Sequence, residues 1–406
     1  MAAPYHVIFL SGVWTAKEES EIIEEAKGGV VQFAANTFQW KLIQAIDSAS
    51  EQPCILINAP FVGSFPKRNT RAFFIRKVFD HTGGNDARDC NVPFCNICGV
   101  KHLSRAFALF REANSRIDGN GKDHLVCSYA MTLSSVMALL LIKKKHKAVA
   151  TVLIVPDLPE YMDTDASHSI RSIFKGVSNR FLYKAVRSID GFIVLTEQMV
   201  KALGVKTASY EVIEGIASCA EVSSKPESIK YRNIVYTGTL QARYGVTDLV
   251  RSFTEIEDER ARLVLCGNGD CVKQIIEAAK QDRRICYLGN VAHDEALAIQ
   301  RSAFVLVNPR KPEGKYTQYS FPSKTMEYML TGRPVLMYKL PGVPTEYDPY
   351  LNYVGDSLTS SLRMLLAEDD SVLEQKAHAG RNFITSEKSV EAQGAKIRAL
   401  FDILKS

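Results

Sequence analysis

The sequence predicts an α/β protein built from two doubly wound parallel sheets. Short apolar, β-branched runs alternate with amphipathic segments along the whole chain, which is the pattern of parallel strands joined by crossover helices. The length, 406 residues, corresponds at roughly 150 residues per domain to two or three domains. The strand–helix period restarts at Tyr231, after a stretch from Ala217 to Lys230 that is rich in Ser, Lys, Glu and Pro and lacks apolar periodicity. That stretch reads as a linker. The predicted division is 1–219 and 220–406, two Rossmann-like domains facing across a cleft at the carboxyl ends of their sheets, where ligands of such sheets bind.

The elements follow in order. Tyr5 to Leu10 is the first strand, an unbroken apolar run from Val7 as expected when both faces are covered. Gly12 turns out of it, and Asn36 precedes the helix that contains Trp40 and Leu42. Further strands are predicted at Cys54 to Asn58, His124 to Ser128, Ala148 to Val155, Gly191 to Leu195 and Tyr210 to Ile213. In the second half they are Asn233 to Thr237, Arg262 to Cys266, Ile285 to Leu288, Phe304 to Val307 and Pro334 to Tyr338. The last helix, Val390 to Lys405, aligns Ala395, Ile397, Leu400, Phe401 and Leu404 on one stripe, and that stripe must pack, as by crossing back over the hinge.

Composition narrows the class. Hydrophobic residues are 46% and charged residues 23%, near the globular average. The longest apolar run, Ala130 to Ile142, is broken by Thr and Ser and falls short of the roughly 20 residues of a membrane span. The N-terminus has no basic segment ahead of its apolar run, so no signal peptide is expected and the protein is expected in the cytoplasm. Nine cysteines, an odd number, suit a reducing compartment. Cys90, Cys95, Cys98 and His102 suggest a zinc site only weakly: the spacing lacks a second CxxC pair, and Val92, Phe94 and Ile97 interleave as in strands. No metal or cofactor is expected.

Net charge is +5, too small for a dedicated nucleic-acid binder, but it is unevenly spread. Residues 41–187 carry 21 basic and 12 acidic groups, a net of +9, whereas 220–406 balance 25 against 24. The first half is therefore expected to meet something anionic. Basic and apolar residues interleave at Leu139 to Lys147 and from Arg171 to Arg187, as on a helix resting against an anionic membrane surface.

The most informative stretch runs from Ser320 to Leu336. Pro322 starts a short helix, and Gly332 with Pro334 ends it before a strand. The helix opens at the carboxyl edge of the sheet, so its first-turn amides and dipole form a ready anion site around Ser323. Lys324 in that first turn opposes the dipole, a conflict that an external anion resolves. Glu327 lies on the same face and suits a pair of ribose hydroxyls. Together they match a nucleoside diphosphate; the alternative is an ordinary surface ion pair.

Here the chain resembles a family. Tyr319 to Leu336 looks like the nucleotide-binding helix of the retaining glycosyltransferases of family 4, the group 1 glycosyltransferases, which share the GT-B fold. Val212-Ile213-Glu214-Gly215-Ile216 resembles the turn before the second domain of that family, and Tyr236 to Leu240 with Gly245 resembles its glycine loop, centred on Gly238. Leu265 to Gly269, containing Gly267, and Tyr287 to Val291, containing Asn290 and Val291 at the base-reading position, resemble the next two strand ends. The resemblance covers residues 210–400 well and the first domain in layout only. It implies a nucleotide-sugar donor and no cofactor.

The departures are specific. Two family cations on the diphosphate fall on Thr239 and Tyr244, and the first family glutamate falls on Tyr319. Arg243, Arg310, Lys315 and Lys324 are the cations that would compensate, with Ser320 and Ser323 beside them. In the first domain, Pro156 and Pro159 bracket Asp157 at a strand end and make a stiff loop. Asp157 or Glu160 would position the acceptor, and Gly12 and Asn36 are further candidates there, although both residue types also simply make turns.

GxxxxGK[ST], HExxH and GxSxG are absent, and the Gly-x-Gly at Gly267 is an incomplete dinucleotide fingerprint. The expected protein is a metal-independent glycosyltransferase of cell-surface polysaccharide biosynthesis, acting on a glycan or lipid-linked acceptor. It is expected in the cytoplasm, peripheral on the inner face of the membrane. Catalysis would rest on Lys324, Arg243 and Asp157. The rivals are a nucleotide-sugar 2-epimerase and a non-catalytic nucleotide-binding scaffold.

Overall fold

The computed structural model describes residues 5–28, 31–84, 87–161, 170–205, 209–217 and 231–406. Of the expected linker only Ala217 falls among them. The chain forms two compact units, Met1–Ile216 with Val390–Ser406, and Ala217–Ser389.

The first unit strings its strands as β1 (His6–Ser11), β2 (Ile55–Asn58), β3 (Phe73–Phe74), β4 (Lys77–Phe79), β5 (Asp89–Asn91), β6 (Phe94–Cys95), β7 (His124–Tyr129), β8 (Ala150–Val155), β9 (Gly191–Val194) and β10 (Ser209–Val212). Helices α1 (Glu19–Glu25), α2 (Phe33–Ala49), α3 (Lys101–Ser115), α4 (Leu133–Lys145), α5 (Ile170–Ala185) and α6 (Glu197–Leu203) intervene. The main sheet runs β10-β9-β8-β7-β1-β2-β5-β4, parallel except for β4 on β5, and β3 pairs with β6 separately. Every residue of β7 and β8 is buried. That burial explains why neither strand shows a regular alternation of apolar and polar residues.

The last helix, α13 (Val390–Lys405), belongs to this first unit, which corrects the division that placed 220–406 together. Its Ile397, Leu400 and Phe401 join the core formed by Leu42, Ile43 and Ile46 of α2. Gly394 permits the approach, because a β-carbon there would lie 2.6 Å from the Ala45 carbonyl. At roughly 1.5–3 kcal/mol for each fully buried large apolar side chain, these three residues alone decide where the helix packs.

In the second unit the strands are β11 (Arg232–Thr237), β12 (Ala261–Cys266), β13 (Ile285–Gly289), β14 (Val305–Asn308), β15 (Val335–Met337) and β16 (Asn352–Tyr353). The helices are α7 (Val246–Thr254), α8 (Val272–Gln281), α9 (His293–Arg301), α10 (Ser323–Leu330), α11 (Leu358–Ala367) and α12 (Asp370–Glu387). All six strands are parallel in the order β13-β12-β11-β14-β15-β16. The chain starts in the middle, winds to one side, then returns and winds to the other. Its switch point therefore lies between β11 and β14, where doubly wound sheets receive ligands.

Candidate active site

Glycines let the loops at this switch point approach one another. Gly238 follows β11 with φ +141° and its N–H donates to Cys266 O at 2.9 Å. Gly267 follows β12 with φ +134°, and a β-carbon on it would fall 1.8 Å from Gly238 O. Gly245 would place one 2.0 Å from Pro309 O, in the loop after β14. Any side chain at Gly267 or Gly245 would force these backbones apart. The loops thus form one bare backbone surface.

Helix α10 begins beside that surface. Pro322 takes the N-cap position in extended conformation, and no side chain caps the first-turn amides of Ser323 and Lys324. A β-carbon on Gly238 would lie 3.5 Å from Lys324 Cε, so the lysine stem crosses the glycine. Lys324 Nζ donates to both carboxylate oxygens of Glu327, at 2.8 and 3.0 Å. On the other side of that carboxylate stands Gln300 of α9, fully buried, which sequence reasoning missed. Tyr328, also fully buried, anchors the helix: its hydroxyl donates to Thr237 O (3.1 Å) and accepts from Thr237 N (3.0 Å).

Arg243 and Arg310 meet over one ring. Their guanidinium carbons lie 4.8 and 5.8 Å from the centroid of Tyr244, the residue that stands where the family has a cation. Arg243 is exposed on the 3₁₀ turn Ala242–Tyr244 and bonds Gln241 Oε1 at 2.7 Å. Arg310 is half-buried, stacks on Tyr316 (4.6 Å) and donates to Ser320 Oγ at 3.0 Å. Lys315 is exposed in the loop between β14 and α10. Asn290 is exposed and Val291 half-buried just beyond β13, after Gly289 at φ +75°.

In the first unit, Asp157 sits past the end of β8 between buried Pro156 and Leu158. It keeps exposed surface, yet crowding around the carboxyl pushes it up to about 6. Glu160 is exposed and accepts from the Tyr183 hydroxyl at 2.8 Å. Gly12 is packed, since a β-carbon there would lie 2.6 Å from the Phe61 ring, and its N–H donates to Gln39. Asn36 bonds both backbone groups of Trp14, at 2.9 and 3.2 Å. Both residues thus brace the turn after β1. That turn borders a cavity of about 430 Å³, which is also lined by Glu18, Phe73, Lys77 and Asn91 and was not signalled in the sequence.

Cys90 is buried in β5 with its thiol pushed up to about 12 by burial and Glu112, Cys95 is half-buried in β6, and Cys98 is exposed. Nearby His81 places Nδ1 2.6 Å from Asp89 and Nε2 3.0 Å from Asp47. Burial by itself would depress this imidazole, but the two carboxylates lift it to about 9.

Two doubly wound units, with glycine loops and an uncapped, Lys–Glu-bearing helix at the switch point of the second, define a GT-B architecture. Solved structures with this architecture match along the chain. Sucrose-phosphate synthase from Thermosynechococcus elongatus is 15% identical with a TM-score of 0.65, over 98% of this chain and 99% of that one. The trehalose-6-phosphate synthase OtsA is 10% identical with a TM-score of 0.64 over 99% of both chains. Anabaena HepE in complex with UDP is 13% identical with a TM-score of 0.61 over 98% and 100%. Such identities speak for the fold alone. Curated proteins give no match by sequence. Residues 231–366 match the family described as "Glycosyl transferases group 1", so the second unit carries a group 1 glycosyltransferase domain and the chain is an enzyme of the glycosyltransferase class.

Proposed function

We propose that the protein transfers a sugar from a nucleoside-diphosphate donor to a hydroxyl of a glycan or lipid-linked saccharide, with retention, in the assembly of a cell-surface polysaccharide. The observation that carries the donor half is the uncapped start of α10, with Lys324 laid across Gly238 and Glu327 one turn on. Amides of Ser323 and Lys324, the Lys324 ammonium and the Arg243–Arg310 pair supply positive charge where a diphosphate leaves. Glu327, held by Gln300, would accept from the ribose hydroxyls once Lys324 turns to the phosphates. HepE carries UDP in its solved complex, so uridine donors are the first to try.

The acceptor half rests on the first unit, where Asp157 and the cavity beside Trp14 offer a carboxylate and room for a sugar ring. Helix α5 exposes Val177 and Phe181 on the same face as Arg180 and Lys184, and Arg187 is exposed in the 3₁₀ turn that follows. That face suits the inner surface of an anionic membrane, where a lipid-linked acceptor is presented. The side chains of Arg171 and Lys175, expected to add to it, lie outside the described residues.

The test is incubation with labelled nucleotide sugars, first alone and then with lipid-linked saccharides. Acceptor-dependent release of nucleoside diphosphate is the expected result. Conversion of the donor without acceptor would make the protein an epimerase, and binding with neither would make it a scaffold.

A further inference from the structure

Helix α3 opens with a charge imbalance. Lys101 and Arg105, four residues apart and hence on one helix face, are 7% and 4% exposed. Arg105 lays its guanidinium over Phe61 (5.0 Å) and Phe94 (5.3 Å) and donates through Nη2 to Ala59 O. Lys101 donates to Val62 O. Both acceptors are neutral carbonyls. Arg105 Nε is buried without a partner, and among the described residues neither cation has a carboxylate partner.

Two other buried basic side chains among the described residues are matched by carboxylates. Lys388, 1% exposed, pairs with Glu346, and His81 sits between Asp47 and Asp89. By contrast, burial and the like charge of Arg105 pull the Lys101 ammonium down to about 7, and burial brings Arg105 down to about 10. His102, beside them, is pushed to about 4 by burial and those two cations, so it brings no compensating charge. Removing an ion from water costs several kcal/mol even after relaxation. A clamp on the loop Ala59 to Val62 needs only a donor, and a neutral amide would supply one without that cost.

The position is that of a ligand site. The loop Ala59 to Val62 leaves the carboxyl end of β2. His102 Nδ1 lies 3.3 Å from Ser134 Oγ, in the first turn of α4, which follows β7. The pair therefore stands at the carboxyl edge of the first sheet, beside the switch point between β1 and β7 and near a helix N-terminus of the same sign.

We infer that Lys101 and Arg105 hold a compact oxyanion, a phosphate or carboxylate, carried by the acceptor. The word acceptor rests on the transferase reading above; the anion site itself does not. Three oxyanion oxygens satisfy the free ammonium protons and the guanidinium edge together, and the ligand supplies the negative charge that the protein omits.

The experiment is thermal unfolding of the full chain at constant ionic strength with chloride, inorganic phosphate, glucose, glucose 6-phosphate or glucuronate. Glucose 6-phosphate or glucuronate is expected to raise Tm by about 2 °C or more at saturation, with glucose and chloride without effect. Lys101→Met removes the charge, and Lys101→Gln removes it while keeping a donor toward Val62 O. Both are expected to unfold no earlier than the native protein in chloride and to lose the gain with anionic sugars. The inference is overturned if neither anionic sugar stabilises the native protein, or if the gain survives in both variants. Inorganic phosphate acting as well as the sugars, an adventitious ion only, would also overturn it. UDP is the separate readout: if it shifts Tm in neither native protein nor variants, the donor reading fails while the oxyanion result stands.

Discussion

Gln300 fastens Glu327 to the end of the central strand: its amide nitrogen donates to Glu327 Oε1 at 2.5 Å and to Thr237 Oγ1 at 2.8 Å. The carboxylate is thus fixed between a buried amide and the Lys324 ammonium. Replacing the amide by an apolar group of similar size, Gln300→Leu, removes one guide and leaves the other. A hydrogen bond of this kind contributes about 1–2 kcal/mol, so UDP affinity is expected to drop roughly 5- to 30-fold by calorimetric titration. An unchanged affinity would show that Glu327 needs no support or touches no nucleotide.

Lys324→Ala and Glu327→Ala test the contacts themselves. Each removes a charge-assisted bond worth about 1.5–3 kcal/mol, which predicts a 10- to 100-fold weaker UDP complex. Because the two side chains also bind one another, the double variant should lose less than the sum of the single losses. Donor affinity untouched by either change would reduce the pair to a surface ion pair.

Gly267→Ala should unfold the second unit more easily. The added methyl has no room against Gly238 O and the φ of +134° is unfavourable for alanine. A cost of about 3 kcal/mol or more is expected in urea denaturation. Wild-type stability would mean that the loops can part freely.

His81 makes the first unit sensitive to base. Its folded pKa, about 9, lies above the ordinary value of 6.5, so its stabilising contribution is complete below about 6.5 and is lost as pH rises through 9. A shift of that size corresponds to at most about 3 kcal/mol. His81→Leu should be less stable than the native protein at pH 6, with the gap narrowing by pH 9.5. A gap independent of pH would assign the loss to packing.

Asp157 should leave its mark on the rate. With its carboxyl pushed up to about 6, it is protonated below that pH and has no negative charge with which to draw the proton of an acceptor hydroxyl. The dependence of kcat/KM on pH should show an acidic limb near 6 that Asp157→Asn abolishes. The same limb in both proteins would belong to another group.

Some of this was legible in the sequence. Arg232–Thr237 and Ala261–Cys266 were recognisable to within a residue because a strand covered on both faces is an unbroken apolar run. Phe73 to Cys95 was not, since strands of two or three residues, some antiparallel, are too short for any period. Lys324 stood out through its place in a first helical turn, and Glu327 through its position on the same face one turn on. Gln300 did not, because it reaches Glu327 from a helix 27 residues earlier and nothing local marks it. Nothing in the sequence marks Lys101 and Arg105, because burial is a property of the fold.

The return of α13 to the first unit has a consequence for the order of synthesis. A ribosome has delivered everything the second unit needs by Ser389, whereas the first unit is still missing Val390–Ser406. The half of the protein begun first is thus the half finished last. Until α13 emerges, Leu42, Ile43 and Ile46 lack the side chains that complete their cover, so the core of the first unit closes only once Val390–Lys405 has been made.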